Sequence, residues 1–418
     1  MNVFSDKRTL GSLIVIGLTA GIIGIIFTHL LETVQEIVFG YDEALMTFRE
    51  ATERATPFRR LYALLACGLV AGIGWTTIHR YGARLVDIKD AVHDPKAHMP
   101  VVTTLAHAVL QIITVGMGSP MGREVAPREA TAALTGGLFR YTKPDAETKV
   151  LLVACASGAG LAAVYNAPLS ASIFVLETML FTWNPRALAA ALIACGTAVW
   201  TVRLGLGDVV QYAMPNIPVT TELASWAVAA GPVLALCIVG LERTTRMLPR
   251  IDRAHPRMIA ISVAAFGAIG LLSMYYPEIL GNGKSANELT FAAATTWNYA
   301  LGIMLAKWAA VLLATGAGAY GGRITPAMLW GSTAALVMAT GWSYVVAPIP
   351  IGAAAFVGAV VFLGIAQKMY VTATVFMMEL TRFSVEYLYP ITLCMGTGLL
   401  TYHLLQSRSA AKGEGVCP

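Results

Sequence analysis

Charged residues are scarce in this sequence. Of its 418 residues only 13% are Asp, Glu, Lys or Arg, while 56% are hydrophobic, and the mean hydropathy is +0.66. These values exclude a large soluble domain and are typical of a polytopic membrane protein. The net charge of +5 is ordinary for basic loops and gives no reason to expect nucleic acid as a partner.

Closely spaced cysteines are also lacking. The six cysteines are scattered singly along the chain, at Cys67, Cys155, Cys195, Cys237, Cys394 and Cys417. No spacing is typical of a metal site or of a disulfide framework. We therefore predict small buried hydrophobic side chains here, and the sequence predicts no cofactor.

The sequence has few apolar segments that are long enough to cross a membrane completely. Several apolar segments are shorter than the roughly 20 residues that a full span needs, which favours tilted, paired or half-membrane helices. The apolar segments lie near 12–34, 61–78, 101–115, 149–164, 168–184, 187–202, 222–240, 257–275, 300–315, 325–346, 351–366, 370–380 and 388–405. The first follows Lys7 and Arg8 and has no small-residue cleavage site, so it is expected to be a retained helix with a cytoplasmic N-terminus. We expect one transmembrane domain, 1–406, followed by a polar tail, 407–418.

One stretch, 115–129, is rich in charge and glycine. It carries Arg123, Glu124, Arg128 and Glu129, and three glycines and a proline come directly before the charges. The glycines and proline disfavour a continuous helix, while the Ala-rich run that follows is typical of one, so a helix is expected to begin near Glu124. In a membrane, helix N-termini of this kind attract anions, and an ionisable residue beside one is a candidate functional residue.

The two halves of the chain repeat each other. The window 116–126 matches 316–326, and 170–177 matches 372–379, in the same order and at offsets of 200 and 202. Paired, glycine-interrupted segments in two halves are typical of transporters whose binding site lies between the repeats. We place the repeats at about 61–205 and 222–406. Glu124 corresponds to Ile324, so the predicted site is asymmetric.

Three motifs resemble those of the CLC family of anion channels and proton-coupled anion antiporters. They are Gly122-Arg-Glu124, Asn166-Ala-Pro-Leu-Ser170 followed by Glu177, and Gly321-Gly-Arg-Ile-Thr-Pro326. They are similar to GREGP, NAPLAG...E and GGxFxP. The resemblance covers about residues 12–406 and implies an all-α polytopic membrane protein, a CLC-like fold of many tilted and broken helices with an inverted internal repeat. It also implies a homodimer in the lipid bilayer, with a pore in each subunit.

In the family, the glutamate of GREGP is the gate, which assigns that role to Glu124. A carboxylate and an anion compete for the same N–H donors, and loss of solvent favours the neutral acid. A structural alternative is that Glu124 only pairs with Arg123 or Arg128. The remaining anion-binding residues that the resemblance implies are Gly82, Ala83, Arg123, Val125, Ala126, Ile324 and Thr325.

The sequence departs from the family's motifs in several places. Ala83 stands where the family has an anion-binding serine, and Thr178 stands where many chloride exchangers have an internal glutamate. A proton path through Glu177 and Thr178 would thus need water, and capping is an equal interpretation of Glu177. No tyrosine occupies the inner-gate position. Tyr402, about two turns earlier, is a candidate inner gate or a packing residue.

The gate motif reads GREVAP, with Pro127 one place later than in GREGP. This form is similar to that of the family's fluoride-exporting branch, which also lacks the inner serine and the internal glutamate. The resemblance therefore implies a fluoride/proton antiporter in a bacterial inner membrane. A chloride channel or chloride/proton antiporter is the alternative. A transporter outside the family, or an intramembrane enzyme using Ser119 with His98 or His107, is more remote because no accompanying acid is placed by spacing.

Overall fold

The computed structural model describes residues 7–94, 97–214, 217–249, 251–382 and 384–411. These residues form seventeen α-helices and no β-strand, and each apolar segment predicted from the sequence is helical. Six helices are long and apolar enough to cross a membrane, so the prediction of an all-α membrane protein is confirmed. The helices are α1 (Lys7–Phe39), α2 (Phe48–Arg54), α3 (Pro57–Tyr81), α4 (Ile88–His93), α5 (Val101–Gly116), α6 (Val125–Thr142), α7 (Ala146–Tyr165), α8 (Pro168–Phe174), α9 (Pro185–Leu206), α10 (Thr221–Arg246), α11 (Arg257–Ser273), α12 (Lys284–Phe291), α13 (Trp297–Gly316), α14 (Ile324–Val345), α15 (Ile351–Gln367), α16 (Tyr370–Thr381) and α17 (Leu388–Ala411).

Local sequence explains where several helices begin. A capping box of Thr47 and Glu50 starts α2. The side chains of Thr56 and Asn184 cap α3 and α9, and a proline follows each of them at the first helical position. These residues satisfy backbone N–H groups that have no partner within the helix. A π-helical turn, Val175–Leu180, continues α8.

Helix packing follows the repeat. In the first half α1 packs against α9 and α7, and in the second half α10 packs against α17 and α15. The equivalent partners place α1 in the first repeat, which therefore begins before the predicted residue 61. Small residues permit the close crossings that membrane helices need. A Cβ on Gly331 of α14, for example, would overlap the Gly358 carbonyl of α15.

The two halves are related by an inverted repeat, and its clearest mark lies at the glycine loops. Gly122 N–H donates to the Gly322 carbonyl over 2.7 Å, and Gly322 N–H donates back over 2.8 Å, in an antiparallel bridge. Two equivalent residues that exchange hydrogen bonds in this way lie on a local two-fold axis. Further along, Asn166 and Lys368 both adopt a left-handed conformation, with φ of 56° and 54°.

The chain end and the cysteines complete the fold. The last helix continues to Ala411, so the first residues of the predicted polar tail are helical. Among the described cysteines all five have free thiols, and four of them are buried. Cys417 lies outside the described residues.

Candidate functional site

Glu124 lies where the two repeats meet. It precedes α6 but makes no side-chain cap to that helix. Its carboxylate instead crosses to the second repeat, where Oε1 accepts the Ile324 N–H at the start of α14 over 2.7 Å. The expected competition between this carboxylate and an anion therefore has a physical basis, because a helix N-terminus is an anion-binding position and the carboxylate occupies it.

Tyr165, the last residue of α7, completes the contacts of the carboxylate. Its hydroxyl donates to Glu124 Oε2 over 3.3 Å and lies 2.8 Å from Thr325 Oγ1. The Phe376 ring packs edge-on against the Tyr165 ring, with centroids 4.9 Å apart. Tyr165 was missed by the sequence analysis because an apolar helix end gives no signal for a hydroxyl that reaches the other repeat.

Two cavities approach Glu124 from opposite sides. The Arg123 pocket, of about 310 Å³, is lined at the ends of α1 and α12 by Glu32, Glu43, Arg49, Arg123, Lys284 and Glu288. The Glu129 cavity, of about 510 Å³, is lined at the other end of α3 by His79, Arg84, Asp90, Glu129, Arg253 and Tyr320. Arg59 at the start of α3 donates to the Val38 carbonyl at the end of α1 over 2.8 Å, so the Arg123 pocket lies toward the start of α3. Since α3 is long enough to span a bilayer, the cavities lie on opposite faces. Glu124 lines neither cavity and has no exposed surface. Its neighbour Arg123 lines one cavity, and Glu129, on the helix that Glu124 precedes, lines the other.

The structure brings together most of the predicted anion-binding residues. Val125 and Ala126 form the first turn of α6, whose N–H groups have no intrahelical partner. Ile324 and Thr325 form the first turn of α14. Arg123 lines the cavity named after it, and the ion pairs of the described residues include none between Arg123 and Glu124. The simple pairing interpretation of Glu124 therefore has no support from Arg123.

Gly82 and Ala83 do not join this cluster, and their anion-binding role stays a prediction. The Gly82 N–H donates to the Ile78 carbonyl at the end of α3, and the Ala83 N–H donates to Thr103 Oγ1 over 3.1 Å. Both donors are thus already engaged. The two residues line the Glu129 cavity, on one face of the protein and separate from the Glu124 carboxylate.

Glu177 has a capping role in the structure. Its oxygens accept the N–H groups of Val371 and Thr372, over 3.1 and 2.8 Å, at the start of α16. Glu379 does the same for Leu169 and Ser170 at the start of α8. The Thr178 hydroxyl donates to the Phe174 carbonyl. Glu177 and Glu379 therefore form a pair of reciprocal helix caps, and the proton path through Glu177 and Thr178 stays a prediction.

Tyr402 lies between two helices of the second repeat, and its role as an inner gate stays a prediction. Its hydroxyl donates to Glu242 Oε1 over 2.7 Å and accepts from Gln406, between α10 and α17. Packing of these two apolar helices explains its burial. The described contacts of Tyr402 include none with Glu124, Ile324 or Thr325, and the packing interpretation is the one that the structure supports.

The residues considered for an enzyme are not assembled. Ser119 Oγ is buried and has no hydrogen-bond partner among the described residues, whereas His107 lies 3.6 Å from Glu129. His98 lines another cavity. A serine nucleophile needs a base within hydrogen-bond reach, and neither histidine supplies one here.

Comparison with known proteins agrees with this geometry. The family model described as voltage-gated chloride channel, Voltage_CLC, matches residues 63–402. The chain belongs to this CLC family. A Ralstonia nicotianae protein named as a ClcB-like chloride channel is 29% identical over 409 residues, which cover 93% of this chain and 92% of the relative. The Escherichia coli voltage-gated ClC-type chloride channel ClcB is 28% identical over 341 residues, covering 76% and 77% of the two chains.

Solved CLC structures share the fold. A slow cyanobacterial Cl⁻/H⁺ antiporter superposes with a TM-score of 0.77 at 19% identity, covering 98% of this chain and 100% of that one. A CLC-type fluoride/proton antiporter gives a TM-score of 0.75, also at 19% identity, covering 96% and 97%. At this identity the likeness establishes the CLC fold alone. The prediction of a CLC-like membrane protein is confirmed.

Tyr165→Phe should weaken the closed position of the Glu124 carboxylate. The variant keeps the ring on Phe376 but removes the O–H donor. A hydrogen bond to a charged group contributes about 1.5 to 3 kcal/mol, and this one is long, so we expect the lower end and about tenfold faster anion exchange in reconstituted vesicles. Thr325→Val, which removes the neighbouring hydroxyl and leaves the donor to Glu124, is the matched control. A Tyr165→Phe exchange rate equal to that of the wild type would contradict this role.

Proposed function

We propose that this CLC protein is a proton-coupled anion antiporter in which Glu124 is both the gate and the proton carrier. The observation that supports this most directly is the bond from the Ile324 N–H to a carboxylate that is sealed between two opposed cavities. As an anion, Glu124 holds the helix N-terminus that a transported anion would need. Once protonated, the Glu124 side chain loses most of its attraction for that N–H group, and a transported anion can replace it there.

The proposal extends to the anion, for which fluoride is the first candidate. Its support is the GREVAP form of the gate, together with Ala83 and Thr178 in place of the hydroxyl and the glutamate of chloride exchangers. Chloride is the second candidate, and the names of the ClcB relatives favour it. Both ions suit converging backbone N–H donors, so the choice between them requires a transport measurement.

Flux from reconstituted liposomes tests the function and the anion together. The wild type is loaded with fluoride or with chloride, and anion efflux and proton uptake are recorded in the same vesicles. When the pH is the same inside and outside the vesicles, we expect an outward fluoride gradient to drive proton entry. In Glu124→Gln, whose amide oxygen can still accept the Ile324 N–H, proton movement should fall at least tenfold because the side chain no longer titrates.

Exposed Glu147 provides the control variant, since Glu147→Gln removes a glutamate at the start of α7 without touching either cavity. Proton movement that survives in Glu124→Gln would remove Glu124 as the carrier. Equal transport of chloride and fluoride would exclude a fluoride-specific exporter. Anion flux with no proton movement in the wild type would indicate a passive channel.

We further propose that two copies associate in a bacterial plasma membrane. Apolar side chains on α8, α9, α16 and α17 are exposed, among them Leu169, Trp200, Val371 and Leu400. A second copy or lipid would cover them. The bacterial relatives support the location, and the protein mass of the particle in lipid nanodiscs distinguishes a dimer from a lipid-covered monomer.

A further inference from the structure

A polar stripe follows one face of α5, whose other residues are apolar except for Thr103. Thr104, His107, Gln111 and Thr114 recur at intervals of three and four residues, and each is at most 1% exposed. Residues at this spacing share a helix face. Ionisable side chains buried within a membrane domain typically mark a route for ions or protons, and His107 in the middle of the stripe is one. Since α5 packs against α6, the stripe runs beside the helix that begins at Glu124.

The stripe joins the Glu129 cavity to the gate loop. Thr104 and His107 line the cavity at one end. At the other end the Thr114 carbonyl accepts the N–H of Ser119 over 2.9 Å, and Ser119 belongs to the loop that leads through Gly122 to Glu124. The fold therefore places one buried polar face between a solvent-accessible cavity and the gate.

Glu129 lies beside this stripe, at the inner end of the cavity. Gln111 Nε2 donates to its Oε2 over 2.8 Å, and His107 Nε2 lies 3.6 Å from the same oxygen. The glutamate is 8% exposed and lines the cavity. A carboxylate in this position can exchange a proton with the cavity and is still held in place by the neutral amide of Gln111.

Three buried polar atoms around Glu129 have no partner among the described residues. They are Thr104 Oγ1, His107 Nδ1 and Gln111 Oε1. Buried polar atoms in folded proteins are nearly always hydrogen-bonded to protein or to water. A cavity of about 510 Å³ has ample room for water molecules. Water bridging these atoms would give a hydrogen-bonded chain along the stripe.

The charges that face Glu129 come from several elements. His107 on α5 is the nearest, Arg128 lies next to it on α6, and Asp87 precedes α4. The Arg128 guanidinium turns away, with Nε donating to Ser157 Oγ over 3.1 Å and its centre 4.6 Å from the Phe174 ring. The rim of the cavity carries both signs, from His79, Arg84, Asp90 and Arg253, with Tyr320 between them. No arginine or lysine within ion-pair distance therefore holds Glu129 permanently ionised in the described structure.

We propose that Glu129 is the proton-loading residue for the cavity side of this protein. This inference rests on the proposed function and supplies the group that Thr178 does not. A proton from the cavity binds a Glu129 carboxylate oxygen, passes to bridging water as that O–H bond breaks, and forms an O–H bond on Glu124. The two glutamates are separated by five residues, about 7.5 Å along the axis of α6, and the proposed path crosses this distance through water along the stripe.

Two fluxes in reconstituted liposomes test this role. Net proton uptake driven by an anion gradient requires proton loading, whereas exchange of labelled anion for unlabelled anion at equal concentrations requires no net proton movement. In Glu129→Gln we expect proton uptake to fall at least tenfold and anion exchange to stay within twofold of the wild type. Asp90→Asn, an exposed carboxylate at the rim of the same cavity, should leave both fluxes within twofold. Glu129→Asp, which keeps an ionisable group, should recover part of the proton uptake.

The outcomes separate this inference from the proposed function. If the wild type takes up protons and Glu129→Gln does so equally well, Glu129 is not the loading residue. If the wild type moves anions without protons, the antiport proposal fails and this inference fails with it. Should Glu129→Gln not fold, the unaltered protein is treated with a hydrophobic carbodiimide, which modifies protonated carboxyl groups. Mass spectrometry should then find an adduct on Glu129 that increases as the pH falls, and its absence at every pH overturns the assignment.

Discussion

Gly322→Ala should uncouple anion flux from proton movement. A Cβ at Gly322 would overlap the Glu124 carboxyl group, from Cγ to Oε1. The φ angle of Gly322 lies outside the left-handed region, so alanine fits the backbone and the overlap is the main effect. The carboxyl must then leave the Ile324 N–H. We expect anion flux that continues while proton uptake per anion falls at least tenfold, measured in the liposome assay.

A double variant checks the cause. Overpacking of this kind costs about 1 to 3 kcal/mol, and adding Glu124→Ala removes the group that is overlapped. The thermal stability lost in Gly322→Ala should therefore return in the double variant. Gly341→Ala is the matched control, because a Cβ there, in the helix that follows Gly322, meets nothing within 4 Å. Normal proton coupling in Gly322→Ala would show that the carboxyl need not occupy this position.

Much of this site was predictable because it depends on the backbone. The local sequence predicts the glycine loops and the helices that begin after them. Because the pattern recurs 200 residues later, the N-termini of α6 and α14 are expected to face each other. The observed hydrogen bond from Ile324 to Glu124 has this origin. The sequence did not predict α2, α4 and α12. These helices are short and polar, whereas the prediction relied on apolar segments.

Side-chain contacts between repeats were not predictable in the same way. Tyr165 contacts Glu124 and Thr325 only because α7 ends beside the start of α14. This packing of two distant helices leaves no periodic pattern in the sequence. Glu129 was visible as a charge, but its surroundings come from α5. Gly82 and Ala83 were assigned by counting along the chain, and counting does not reveal that their N–H groups already have local partners.

Glu177→Gln and Glu379→Gln should reduce stability by similar amounts and leave proton coupling intact. Each carboxylate accepts two backbone N–H groups and one hydroxyl, from Thr372 and Ser170 respectively, at the start of a helix in the other repeat. Loss of a helix cap lowers the free energy of unfolding by about 0.5 to 2 kcal/mol. The loss is at or above the upper end of this range when the lost acceptor is charged. The amide keeps one acceptor oxygen, so we expect about 1 to 2 kcal/mol for each variant, measured as a shift of the thermal unfolding midpoint.

The pairing of these variants distinguishes a cap from a proton relay. A relay at Glu177 would lose proton uptake on substitution, while its repeat partner Glu379 would have no reason to do so. Two caps related by the inverted repeat should instead behave alike in both measurements. Because the two contacts secure the same pair of helices, α8 and α16, the double variant should lose less stability than the sum of the single ones. Proton uptake lost in Glu177→Gln and kept in Glu379→Gln would show that Glu177 is part of the proton path as well as a helix cap.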